Sequence, residues 1–109
     1  MKLIIGGACQ GKREYARQNY GENENFIFEF HLFVLDLIKK GVEPVDYINE
    51  HLMEYKDAII ICDDIFCGIV PVDPLERKWR EGLGRALAVI ANKSDEVVRV
   101  FCGLGMRLK

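Results

Sequence analysis

Apolar residues fall along this chain in short runs that alternate with longer stretches of helical spacing, and that alternation sets the order of elements. Leu3-Ile4-Ile5 opens the sequence as a buried strand. A glycine-bounded loop follows, and from about Gly11 to Tyr20 the pattern predicts a helix stopped by Gly21. Asn25 to Phe30 is aromatic and branched and reads as a second strand. Leu32, Val34, Leu35 and Ile38 recur at helical spacing up to the Lys39-Lys40-Gly41 stop. Pro44 then opens a helix running from Val45 to Tyr55, with Val45, Ile48, Leu52 and Tyr55 on one stripe. Ala58-Ile59-Ile60-Ile61-Cys62 is the most continuously apolar run, as expected of a central strand covered on both faces.

The longest helix is predicted from Asp73 to about Asn92: Asp73 can cap it, Pro74 suits its first position, and Leu75, Trp79, Leu83, Leu87 and Ile90 form its inner face. Its other side carries Arg77, Lys78, Arg80 and Arg85, either as a solvated face or as part of an anion site. Asp95 to Gly103 makes the last strand. Strands alternating with helices predict an α/β domain with a mostly parallel sheet flanked by helices, spanning 1–109 as one unit, and the loop Gly6-Gly7-Ala8-Cys9-Gln10-Gly11-Lys12 between the first strand and helix makes the expected fold a three-layer one of the P-loop NTPase kind (RecA-like).

The chemistry is concentrated at the end of the first strand. Gly6-Gly7-Ala8-Cys9-Gln10-Gly11-Lys12 has the length and glycine placement of a phosphate-binding loop, with backbone N–H groups and the Lys12 ammonium around a phosphate chain. The pattern calls for Ser or Thr next, to place a hydroxyl on Mg²⁺, and here that residue is Arg13. The chain has no threonine, and its one serine is the distant Ser94. The bland alternative is a glycine-rich turn that binds nothing. Asp63 and Asp64 follow the central strand, where P-loop proteins place the acid that holds a metal; an Asp-Asp pair is equally a common turn. Glu29 is a further strand-end carboxylate, whereas His31 and His51 lack ligand-spaced partners and are expected to be structural or exposed.

Composition narrows the partners. Fifteen basic against 17 acidic residues give a net charge of −2, so no nucleic-acid or membrane surface is expected. Cys9, Cys62, Cys67 and Cys102 show no metal-ligand rhythm, which predicts reduced thiols and a cytoplasmic protein.

Two stretches resemble the bifunctional adenosylcobinamide kinase/adenosylcobinamide-phosphate guanylyltransferase family of cobalamin biosynthesis. Ile4 to Lys12 is similar to that family's G-G-A/S-x-S-G-K-S loop. Asp63-Asp64-Ile65-Phe66-Cys67-Gly68-Ile69-Val70-Pro71 is similar to its N-E-V-G-x-G-I-V-P, and the likeness continues through Trp79-Arg80-Glu81 and Gly84-Arg85 to the closing Gly103 to Lys109. The resemblance implies a shortened, divergent member with Lys12 as the phosphate lysine, Asp64 in place of the family's glutamate, and Arg13 in place of its metal-binding serine. It implies ATP or GTP as nucleotide, a cobinamide-type acceptor and a homo-oligomer. The segment that carries the family's guanylylated histidine has no counterpart here. Two functions follow as expectations: a kinase-like transferase without guanylyl transfer, or a non-catalytic paralogue that keeps the fold as a nucleotide- or anion-binding or regulatory subunit. Lys12 and Asp64 are the expected catalytic residues, Gly6 to Arg13 the nucleotide cradle, and Asp63 and Asp64 the carboxylates for Mg²⁺.

Overall fold

The computed structural model describes residues 1–65 and 72–109. Its elements are β1 (Lys2–Gly6), α1 (Lys12–Tyr20), β2 (Asn25–Ile27), α2 (Phe30–Lys39), α3 (Pro44–His51) with a 3₁₀ turn (Leu52–Tyr55), β3 (Ala58–Asp63), α4 (Pro74–Lys93), β4 (Glu96–Phe101) and β5 (Leu104–Arg107). The sheet order is β2-β3-β1-β4-β5. The first four strands in chain order are parallel, and β5 runs antiparallel to β4 at the edge.

The expected three-layer arrangement follows from which side chains each strand sends to each face. On one face Leu3, Ala58, Ile60, Cys62 and Val97 pack with α2, α3 and α4 through Phe30, Val34, Ile48, Leu83, Leu87 and Ile90. On the other, Ile4, Ile59, Ile61, Val98 and Val100 pack against Ala16 of α1. β1 and β3 therefore alternate between two apolar layers, which is why their sequences are apolar throughout. Register pairs Gly6 with Asp63, so the carboxyl ends of β1 and β3 lie side by side. Among the described residues no helix is long and apolar enough to cross a membrane.

Several boundaries differ from those the sequence predicts. β2 stops at Ile27, because Glu29 turns into the left-handed region (φ 53°, ψ 46°) and Phe30 begins α2 as a fully buried residue. The predicted helix from Val45 to Tyr55 divides into α3 and the 3₁₀ turn. On α4, Asp73 caps as expected, its Oδ1 accepting from the Leu75 N–H at 2.8 Å, but Leu75 itself is exposed in the first turn. The last strand ends at Phe101, and Cys102-Gly103, both at positive φ, turn the chain into β5, an element not anticipated. The stretch Phe66 to Pro71, which carries much of the second resemblance, lies outside the described residues.

Candidate functional site

Gly6 closes β1 where there is no room for a side chain: a Cβ there would sit 2.5 Å from the Val100 carbonyl oxygen of β4. The loop that follows needs two residues in the left-handed region, Cys9 (φ 59°) and Gly11 (φ 89°), before α1 begins at Lys12. Gly11 suits that geometry and offers no capping side chain, so no side chain caps the N-terminus of α1. Gln10 fastens the loop to the neighbouring hairpin: its carbonyl accepts from the Gly103 N–H and its Oε1 from the Cys102 N–H, each at 2.8 Å. The result is a cavity of about 340 Å³ lined by Ala8 to Glu14 on one side and by Glu29, His31, Ile61 and Asp63 on the other.

Lys12 is 8 % exposed and folded back under the loop. Its Nζ donates to the Gly7 carbonyl at 2.6 Å and pairs with Asp63 Oδ1 at 2.7 Å. Asp63 Oδ2 lies 3.5 Å from His31 Nε2, and the Asp63 N–H donates to His31 Nδ1 at 3.2 Å. With Nδ1 accepting, the neutral imidazole carries its proton on Nε2, facing the carboxylate. Trp79 of α4 donates its Nε1–H to the His31 carbonyl at 2.7 Å and stacks on the imidazole, with centroids 6.3 Å apart. The starts of α1 and α2 and the end of β3 thus converge on Asp63, while the first turns of α4 brace His31.

The other expected site residues are distributed unevenly around this centre. Gly6 and Gly7 form the back of the loop, and Ala8, Cys9, Gln10, Gly11, Lys12 and Arg13 line the cavity. Asp64 is not among the lining residues; its N–H donates to the Gly6 carbonyl at 3.0 Å and its Oδ2 lies 3.9 Å from the Arg99 guanidinium. Arg13 stands at the rim, 3.4 Å from Glu29 Oε1 and stacked over the Phe28 ring at 4.6 Å. Among the described residues no group of three or more His, Cys, Asp and Glu side chains is arranged to hold a metal ion. Cys62, next to Asp63, is a packing residue: burial pushes its thiol up to about 12.

His31 is the site residue that local sequence spacing did not reveal. Its partners are Asp63 on another strand and Trp79 on another helix, so no ligand-like spacing marks it. The available signal was its place just past the carboxyl end of a predicted strand, the edge on which α/β proteins build their sites.

The chemistry of the donor set fits a phosphate chain: a buried ammonium, a loop too tight for side chains at Gly6, and a helix start without a side-chain cap. A family model described as cobinamide kinase / cobinamide phosphate guanyltransferase matches residues 37–108. The match takes in β3, the Asp63-Asp64 pair, α4 and the β4–β5 hairpin, and it leaves the loop and His31 outside. No curated protein matches the chain.

Proposed function

The chain belongs to the cobinamide kinase / cobinamide phosphate guanyltransferase family, and on that footing we propose that it binds ATP or GTP in the 340 Å³ cavity and passes the γ-phosphoryl group to a cobinamide-type alcohol. The observation that carries this reading is Lys12, buried at the start of α1 with its ammonium between Gly7 and Asp63. An ammonium has three donors. Two of them are spent on Gly7 and Asp63, and the third remains for a phosphate oxygen. Loop amides from Ala8 to Lys12 would share the phosphate charge, and Asp63, the cavity carboxylate in contact with Lys12, would accept the proton of the acceptor hydroxyl. Asp64, aligned by resemblance with the family's glutamate, would act from behind the loop through its hold on Gly6.

Guanylyl transfer is not part of the proposal. The ring nitrogens of His31 face Asp63, and His51 is stacked on Tyr47 with centroids 3.9 Å apart while its Nδ1 meets the Tyr47 carbonyl at 2.7 Å. Labelled GTP should leave no acid-labile label on either histidine; a stoichiometric phosphoramidate would overturn this part. A second reading, a nucleotide- or anion-binding subunit without turnover, is favoured by Arg13, whose guanidinium takes the place of the metal-binding hydroxyl and is engaged by Glu29. Thermal unfolding with saturating ATP, GTP and pyrophosphate tests both readings together, and an unchanged midpoint with all three means the loop binds nothing. Phosphorylation of a cobinamide-type acceptor then separates them, since the second reading keeps the shift and lacks the product.

A further inference from the structure

In an ordinary P-loop site a divalent cation bridges the outer phosphates and is held by the loop hydroxyl and a strand-end acid. The three residues at those two places in this protein do not fit that role. The hydroxyl position is a guanidinium, Arg13. Asp63 Oδ1 lies 2.7 Å from the Lys12 ammonium, so a cation at that oxygen meets a positive charge already in contact with it. Asp64 faces Arg99 and stands outside the cavity. Of these three, Arg13 is a cation, and Asp63 and Asp64 each face one.

We infer that this site binds its polyphosphate without a divalent metal, with the Arg13 guanidinium supplying the charge that the metal supplies elsewhere. The inference rests on the nucleotide-binding reading above. Arg13 lies in the first turn of α1, one residue from Lys12, and already lines the cavity. Its present partner holds it lightly: both members of the Arg13–Glu29 pair are about half exposed, at 49 and 57 %, and the contact is 3.4 Å. An exposed ion pair of that kind is weak, whereas a guanidinium can grip two phosphate oxygens at once. Glu29 holds its carboxylate there from the left-handed backbone position (φ 53°) that starts α2, and the Phe28 ring lies under the guanidinium. Rim and ring park the arginine beside the cavity, and a polyphosphate draws it from Glu29 across the mouth.

The test is calorimetric titration of the full chain with inorganic pyrophosphate, and separately with ATP, in excess Mg²⁺ and in excess chelator. The expected result is a Kd that changes by less than about threefold on chelation for the wild type. Arg13→Ser should lose roughly tenfold or more in chelator, because one charged donor has gone, and Arg13→Lys should recover part of that loss. Wild-type binding that weakens about tenfold or more on chelation would sink the inference while leaving nucleotide binding intact. Unchanged affinity of Arg13→Ser in chelator would likewise remove arginine from the role. No binding under either condition would overturn the nucleotide-binding reading itself.

Discussion

Replacing Lys12 by methionine removes a charge from two partners at once, and the two losses can be told apart. In the folded protein the Lys12 ammonium satisfies the Gly7 carbonyl at 2.6 Å and the Asp63 carboxylate at 2.7 Å. Breaking a fully buried ion pair from one side costs about 3–5 kcal/mol, and an exposed pair is worth about 0–1 kcal/mol. The Asp63 side chain is 26 % exposed and keeps His31, so its cost falls between these limits, at about 2 kcal/mol. For a domain of this size that is a fall of roughly 8–16 °C in Tm. Asp63→Asn in the same chain removes the stranded charge, and the double variant should regain at least about 1 kcal/mol of the loss. Pyrophosphate affinity should fall tenfold to a hundredfold in Lys12→Met, for a lost charged donor of about 1.5–3 kcal/mol, and stay low in the double variant. Thermal unfolding of the four proteins gives the coupling, and calorimetry with pyrophosphate gives the affinity. A coupling energy under about 0.5 kcal/mol would refute the claim that Asp63 depends on Lys12. Full recovery of pyrophosphate binding in the double variant would show that the ammonium does not touch phosphate.

Gly6→Ala places a methyl 2.5 Å from the Val100 carbonyl oxygen, so β4 must shift; unfolding should show a loss of about 1–3 kcal/mol, and an unchanged Tm would mean the strand yields freely. Gln10→Met keeps the side-chain volume and loses the acceptor for the Cys102 N–H, which should speed hydrogen exchange at that amide; an unchanged rate would show that the clamp does not hold in solution. Burial first, then the hydrogen bond and charge of Glu96, pushes the Tyr20 hydroxyl up, and burial first, then Tyr47, pushes Tyr55 up to about 12. Both pKa values are higher folded than unfolded, so their stabilisation is complete below the ordinary 10.0 and is lost as pH rises through 12; a urea midpoint that stays flat from about pH 10 to about pH 12 would contradict this. Native protein should react with a thiol reagent at the exposed Cys9 and Cys102 and not at Cys62, with ATP slowing Cys9; peptide mapping after labelling checks both, and native-state labelling of Cys62 would count against its burial.

The loop, its lysine and the alternation of elements were legible because each is written locally. Leu3-Ile4-Ile5 before two glycines needs no distant information, and neither does the Asp73-Pro74 start of α4. What escaped the sequence depends on register. Asp63 and Asp64 are adjacent and chemically alike, and only the pairing of Gly6 with Asp63 decides which carboxylate meets Lys12. Successive residues on an extended chain face opposite ways, so the two acids divide between Lys12 and Arg99. His31 was hidden by a boundary error of the same origin: Phe28, Glu29 and Phe30 have strand-like composition, yet Phe30 gains more by entering the core at the start of α2. Ending the strand early puts His31 in the first turn of α2, where it lines the cavity.

The β4–β5 hairpin shows why the part of the chain that matches the family and the part that does not act as one site. All four residues of β5, Leu104 to Arg107, are exposed. Yet Gly105 lies against the ring of Tyr15, leaving no space for a Cβ, and Gly6 lies equally close to Val100 at the end of β4. Cys102 and Gly103, in the turn between the strands, both donate to Gln10. The hairpin therefore touches the residue before the loop, a residue inside it and the helix after it, and those three contacts fix where the loop's amides and Lys12 stand. A phosphate loop gains affinity from being held open in its bound shape before the ligand arrives. On the proposed phosphate-binding reading, that preorganisation comes from the β4–β5 hairpin, an antiparallel edge added to a sheet that is otherwise parallel.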